Sequence, residues 1–303
     1  MAFKSKKARV MEELGLSGED VRASTLYRDA WKRLKKNKLA IASFIVLVLI
    51  ALIAIFAPLI APYDPYLQQT NHISEGPSAE HWFGTDDIGR DIFSRVIYGS
   101  RISMIVGVVC EGICVPIAVI LGSLAGYFGG WVDSLISRII EIFSSFPLIL
   151  FAIAVMFILG PGIMNVFIAI GIIGWTGLAR MIRGQIMQLK EKEFVEAARA
   201  SGASSMKIIF RHLIPNCLST IIVVITLDIP GDIMLESTLS FVGLGVQPPA
   251  PSWGSMISEG RKFIRQNVSY SFFPGLAIML VVLAFNTLGD GVRDALDPKL
   301  KNL

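Results

Sequence analysis

Six apolar segments, each long enough to cross a lipid bilayer, constrain this chain more than any other feature. About 20 predominantly apolar residues are needed to cross a hydrocarbon core of about 30 Å. Only 17% of the 303 residues are charged, against about 25% in an ordinary soluble domain. The sequence therefore predicts an all-α integral membrane protein. Its six predicted transmembrane helices span residues 39–60, 102–127, 135–159, 166–182, 217–242 and 272–288.

The positions of Lys and Arg predict how these helices are oriented, because short cytoplasmic loops carry an excess of both. Residues 180–211 hold seven Lys or Arg against three acids, whereas residues 61–99 hold two against six. We therefore expect residues 61–99 to form an external loop and both termini to be cytoplasmic. Arg261, Lys262 and Arg265 run against the trend, since six crossings place them outside.

The N-terminal segment, residues 1–38, is predicted to be a cytoplasmic tail. It carries 11 Lys or Arg against five acids, and its second half spaces apolar side chains along one helical face. Such a basic amphipathic helix is expected to lie at the surface of anionic lipid. Positive charge confined to segments beside apolar spans is explained by the membrane, so nucleic acid is not expected as a partner.

One polar segment, residues 193–216, separates the fourth and fifth apolar segments. Ala197 and Ala198 favour a helix, and Gly202 then ends it or turns it. Pro215 is typical of the first turn of the next helix. The pattern predicts a short helix, a glycine turn and a second helix on one membrane face. An ordinary solvated helix is the alternative interpretation.

This segment also carries a family resemblance. Glu196-Ala197-Ala198, three residues, Gly202, nine residues and His212-Leu-Ile-Pro215 resemble the EAA loop of binding-protein-dependent ABC importer permeases. The usual motif has Ile and Leu at the positions of His212 and Ile214. That departure resembles the peptide and nickel branch of the family. Three further segments also resemble this branch, namely residues 81–103, 239–254 and 285–298.

The resemblance implies the type I importer (MetI-like) permease fold, with a core over residues 100–291 and a cytoplasmic tail over 292–303. It implies a bacterial plasma (inner) membrane location. It also implies four partner subunits: a second permease, two ATPases and an external solute-binding protein. The EAA loop would be the cytoplasmic coupling helix that docks on an ATPase. Its implied coupling residues are Glu193, Glu196, Ala197, Ala198, Gly202, His212 and Pro215.

The chain contains no GxxxxGK[ST] phosphate loop and no recognisable nucleophile or metal-binding motif. We therefore expect a transport subunit rather than an enzyme, with no catalytic residue, no metal site and no cofactor. ATP and Mg²⁺ would be bound by the partner ATPases. His72 and His81 are nine residues apart in a loop, and a structural role is favoured over metal binding for His81.

Apart from Glu141, which Arg138 three residues earlier could neutralise, four acidic residues lie inside apolar segments. Asp228, Asp232 and Glu236 follow one another at intervals of four, which places them on one helical face over about 12 Å. Glu111 lies in the second segment. Because a charged group facing lipid is costly, we predict that these acids line the translocation pathway. They would favour cationic cargo such as a peptide amino terminus. Alternatively, they are hydrogen-bonded acids that join helices.

The function predicted from all these features is the permease subunit of an ATP-driven importer for dipeptides or oligopeptides. A nickel importer of the same family is the nearest alternative, although nickel usually binds imidazole and no histidine lies within a predicted span. An ion-coupled carrier is a further alternative, but no inverted repeat is detected. A scaffold without transport would leave the acidic face unexplained.

Overall fold

A computed structural model describes residues 26–296, and this part of the chain is built from helices joined by loops. The predictions made above for residues 1–25 and 297–303 lie outside the described residues. A short π-helical turn, Ile209–Leu213, joins the helix Ser205–Ile208 to the helix Ile214–Val242, and a 3₁₀ turn, Arg261–Phe263, follows the helix Trp253–Gly260. The helices are α1 Leu26–Leu34, α2 Lys38–Ile55, α3 Ala57–Ile60, α4 Ile92–Phe128, α5 Gly130–Ser144, α6 Leu148–Leu159, α7 Ile163–Leu189, α8 Glu193–Ala200, α9 Ser205–Ile208, α10 Ile214–Val242, α11 Trp253–Gly260 and α12 Ser269–Leu296.

Within the described part of the chain, five helical stretches are long and apolar enough to cross a membrane: α2, α4, α7, α9 joined to α10, and α12. The third predicted transmembrane helix, over residues 135–159, is not one straight helix. The structure divides it into α5 and α6, which meet at 88°. Pro147 explains the break, because proline disfavours helical geometry in the residue before it and lacks an amide donor. Six spans are reached only if this bent pair is counted as one.

The centre of the bundle is the long contact between α4 and α7. A β-carbon added at Gly122 would lie 2.6 Å from the carbonyl oxygen of Ala179, and one at Gly126 would lie 2.7 Å from that of Arg183. Gly171 of α7 is similarly close to Ile113 of α4. These glycines let the two backbones approach closely, as small residues do in membrane helices.

At one end of the bundle, which we call the loop end, residues 61–91 pack against α11 and the turn that follows it. The side chain of Asn267 donates hydrogen bonds to the backbone oxygens of Glu75 and Thr85, both 2.9 Å long. The two loops predicted to be external therefore lie at the same end. Ser252 caps α11, as its position before Trp253 indicates.

Helix α4 begins at Ile92, inside the segment predicted as an external loop. Asp91 is its N-cap, and its carboxylate accepts a 2.7 Å hydrogen bond from the amide of Ser94. Asp91 also accepts from the buried ring of His81 over 2.9 Å. His81 thus holds the loop against the start of α4, which is the structural role favoured for it above.

The opposite end, which we call the coupling end, contains α8, the start of α10 and the end of α12. Helix α1 packs there against α12, with Leu34 and Asn37 close to Gly291. Ala30 of α1 is buried and Trp31 is half exposed. The helical part of the predicted amphipathic segment is thus present over residues 26–34. Its contact with lipid stays a prediction.

Candidate functional site

The polar segment predicted to couple to an ATPase forms a helix, a turn and a second helix at the coupling end. Glu193 to Ala200 form α8, and Gly202 then takes a left-handed backbone angle, φ +77°, which glycine adopts without steric cost. Ser204 caps α9 through its hydroxyl. His212 lies in the π-helical turn, and Pro215 occupies the first turn of α10. The sequence pattern is confirmed in each of these local features.

Most of α8 is accessible, although one side chain anchors it. Val195 is fully buried among apolar residues of the bundle. Of the seven predicted coupling residues, Ala198 and His212 are half-buried, and the other five are exposed: Glu193, Glu196, Ala197, Gly202 and Pro215. The segment therefore presents a largely uncovered surface of small, acidic and apolar side chains. Phe194, which is 40% exposed, adds a large apolar group to it.

Two further contacts join this region to the bundle, and neither pairing is signalled by a local sequence pattern. The guanidinium of Arg199 on α8 lies 5.5 Å from the ring centre of Tyr127, near the end of α4. Arg183 of α7 binds Asp133 of α5 through two hydrogen bonds, one of them 2.6 Å long. Helix α8 is therefore in contact with α4, and α7 is tied to α5 beside it.

The four intramembrane acids do not share one environment. Asp228 is exposed within this chain, Asp232 is half-buried, and Glu111 is buried on α4. These three interact electrostatically with one another. Among the described residues, no hydrogen-bond partner is found for the buried Oδ2 atom of Asp232. Glu111, Asp228 and Asp232 are thus close enough to interact, and none of them forms an ion pair with a residue between 26 and 296.

Glu236, one turn further along α10, is different because its side chain is fully buried and hydrogen-bonded. It accepts a 2.6 Å hydrogen bond from the hydroxyl of Ser240, and the hydroxyl of Ser237 lies 3.4 Å away. Ser252, the cap of α11, completes the hydroxyl cluster, 3.5 Å from Ser240. In this chain Glu236 therefore joins α10 to α11, as the alternative interpretation of the acids described.

The loop end contains a buried charged network that the sequence analysis missed. Arg90 donates to Asp86 over 2.5 Å and to Glu259 over 3.2 Å. Arg95 donates to the same oxygen of Glu259 over 3.4 Å, and the hydroxyl of Tyr270 also donates to it. Asp86, Arg90 and Arg95 are at most 5% exposed. Five side chains from the loop, α4, α11 and α12 are thereby fixed together.

The carboxylates around Arg90 raise the pKa of its guanidinium despite its burial. Asp87, beside this network, has its pKa raised from the ordinary value of 3.8, first by burial and then by the neighbouring Asp86. The two arginines of the network therefore pair with Asp86 and Glu259, whereas Asp87 at its edge forms no ion pair with a described residue.

Comparison with known families agrees with the architecture. A family model described as "Binding-protein-dependent transport system inner membrane component" matches residues 118–302. A second, "N-terminal TM domain of oligopeptide transport permease C", matches residues 25–77. The first of these includes α8, α10 and α12, and the second includes α1 to α3.

Curated relatives match almost end to end. The chain is 49% identical over 276 residues to "Dipeptide transport system permease protein DppC" of Alkalihalophilus pseudofirmus, covering 91% of each chain. It is 46% identical to the protein of the same name from Bacillus subtilis, covering 90% of this chain and 86% of the relative. It is 45% identical to "Glutathione transport system permease protein GsiD" of Shigella boydii, covering 99% of each.

Among solved structures, a chain of the inward-facing MetNI methionine ABC transporter is similar, with a TM-score of 0.56 at 19% sequence identity. The match covers 68% of this chain and 98% of that chain. At this identity the likeness concerns the fold alone, and it agrees with the MetI-like arrangement predicted from the sequence.

Proposed function

Because the chain belongs to the family of binding-protein-dependent transport system inner membrane components, we propose that it is the permease subunit of an ATP-driven importer for dipeptides or oligopeptides. The proposal rests above all on the near full-length similarity to relatives whose names specify dipeptide and glutathione transport. Each of those cargoes is a short peptide. In this proposal the chain supplies half of the pathway and a related permease supplies the other half.

The proposed coupling step begins at α8. An ATPase subunit would bind the exposed surface around Phe194, Glu196 and Ala197, while Val195 holds the helix to the bundle. A displacement of α8 would reach α4 through the Arg199–Tyr127 contact. It would reach α10 through the short, continuous connection over α9 and the π-helical turn. ATP and Mg²⁺ would be held by the ATPases, and cargo would arrive from an external solute-binding protein.

In the same proposal, Glu111, Asp228 and Asp232 face the pathway. They interact with one another and have no cation to neutralise them among the described residues. Such a group of acids would attract the ammonium group of a peptide. Glu236 contributes indirectly, because its hydroxyl cluster fixes α11 to the end of α10.

The test is uptake by the complete complex in proteoliposomes, with the binding protein added outside and ATP enclosed at the ATPase side. We expect labelled dipeptide to accumulate only with hydrolysable ATP. A variant with inactive ATPases is the matched control. Accumulation driven by a proton gradient in that control would support an ion-coupled carrier instead, and accumulation of Ni²⁺ without peptide would support the nickel alternative.

A further inference from the structure

A polar cavity at the coupling end contains two opposite charges that do not pair with each other. It has a volume of about 640 Å³ and lies between α7, α10 and α12. Asp228 lies on its α10 wall and Arg293 on its α12 wall. Neither side chain forms an ion pair with any residue between 26 and 296. Both are exposed to the cavity or to solvent.

The rest of the cavity wall combines five apolar side chains with four neutral polar ones, and a purely lipid-facing groove would not need the polar ones. Gln185, Asn216, Ser219 and Thr220 all line it. The side-chain oxygen of Gln185 is buried and has no hydrogen-bond partner among the described residues. An unpartnered buried acceptor costs free energy, so a donor group supplied by a ligand in this cavity would stabilise it.

The packing of α10 on α12 sets how far Asp228 and Arg293 are offset along the two helices. Gly289 of α12 lies against Leu227 of α10, and the two helices run in opposite directions. Arg293 is four residues beyond Gly289 toward the coupling end, and Asp228 is one residue beyond Leu227 toward the loop end. At a rise of about 1.5 Å per residue, these five residues offset their α-carbons by about 7.5 Å along the helix axes.

We propose that this cavity binds the two charged ends of a short zwitterionic peptide, with Asp228 on the ammonium group and Arg293 on the carboxylate. Two extended residues span about 7 Å, which is similar to the axial offset. Arginine suits the second role because its guanidinium binds a carboxylate through two parallel hydrogen bonds. Gln185 would accept a hydrogen bond from an amide or ammonium group of the same peptide. This inference rests on the proposed peptide cargo and specifies which of its groups are recognised.

The experiment measures binding to the purified complex in lipid nanodiscs, without nucleotide and without the binding protein. The probes are three labelled compounds: alanyl-alanine, N-acetyl-alanyl-alanine and alanyl-alanine amide, each titrated to millimolar concentration by equilibrium dialysis. We expect the wild-type complex to bind alanyl-alanine about tenfold more tightly than either blocked form, since each blocked form lacks one charge-assisted contact.

The variants separate the two ends. Asp228→Asn should abolish the preference over the N-acetyl compound and keep the preference over the amide. Arg293→Gln should abolish the preference over the amide and keep the preference over the N-acetyl compound. Arg138→Gln removes a cation that is paired on the surface with Glu141 and does not line the cavity, so it should change neither ratio.

Equal binding of all three probes by the wild-type complex would overturn the inference, as would the absence of saturable binding. It would also be overturned if both variants lowered binding of every probe by the same factor, because that indicates a general structural role. ATP-driven uptake by the complete system is measured in parallel. If the complete system imports dipeptide but the variants keep the wild-type probe preferences, this inference alone is wrong. If the system imports another cargo in place of peptides, the proposed function is wrong.

Discussion

The two ends of this molecule are held together in different ways. At the loop end, Asp86, Arg90, Arg95, Glu259 and Tyr270 form one buried network between segments more than 160 residues apart. At the coupling end, α8 is anchored by the buried Val195 and by the contact of Arg199 with Tyr127, and most of its remaining surface is uncovered. The network at the loop end is thus formed within one chain, whereas α8 at the coupling end leaves most of its surface exposed.

The largest expected loss of stability follows substitution of Arg95, whose side chain is 1% exposed. Arg95→Ala removes a buried cation from beside Asp86 and Glu259, and breaking a buried ion pair typically costs about 3–5 kcal/mol of unfolding free energy. Thermal unfolding of the purified protein measures the loss. Arg138→Ala is the control, because its pair with Glu141 is mostly solvated and is expected to contribute between about 0 and 1 kcal/mol. Equal effects of the two substitutions would contradict the description of the loop end as a buried network.

The next effect concerns the α4–α7 contact that connects the two ends. Gly122→Ala places a β-carbon against the backbone of Ala179, and overpacking of this kind costs about 1–3 kcal/mol. Gly177→Ala on the facing helix is the matched control, since no atom lies within 4 Å of its added carbon. The control should be neutral or stabilising by up to about 1 kcal/mol. A destabilised control and a neutral Gly122→Ala would show that the helices do not meet as described.

A smaller effect is expected at the coupling end. Arg199→Gln removes the cation facing Tyr127, a contact that contributes about 0.5–1 kcal/mol at an exposed site. The free energy of unfolding should change little. The amount of peptide transported per ATP hydrolysed should fall, because α8 loses its contact with α4. Arg199→Lys keeps the cation and should retain most of the coupling. If both variants transported normally, the link from α8 to α4 would not carry the movement.

The smallest effect is a pH dependence at the edge of the loop-end network. Since burial and Asp86 raise the pKa of Asp87 above 3.8, the folded protein binds a proton there more tightly than the unfolded chain does. Stability should therefore fall as pH rises from the ordinary carboxyl pKa through the raised one. Asp87→Asn should flatten this part of the stability curve measured by unfolding in a pH series. A steeper slope in the variant would contradict the assignment.

The same contrast explains which features the sequence could predict. Features set by neighbouring residues were predicted well, namely the glycine turn at Gly202 and the proline at the start of α10. The division of the third apolar segment was missed because hydropathy continues across the bend, although Pro147 was a local signal for it. The loop-end network was missed because its members come together only through the tertiary fold.

Spacing along one helix also predicted only part of the acidic face. Residues at intervals of four do share a side of α10, but what faces that side changes along the helix. Asp228 lines the cavity between α7, α10 and α12. Glu236 instead accepts a hydrogen bond from Ser240, whose hydroxyl lies next to that of Ser252. Arg293 could not be associated with Asp228 from the sequence, because 65 residues separate them and only the packing of α12 on α10 brings them to one cavity.

The most direct test of this account is photo-cross-linking from the exposed position Phe194 on α8 in the assembled complex. A photoreactive amino acid at Phe194 should form a covalent adduct with an ATPase subunit, and the same group at Trp82, exposed at the loop end, should not. This result would show that the ATPase subunit binds at the coupling end. An ATPase adduct from Trp82 and none from Phe194 would contradict the account.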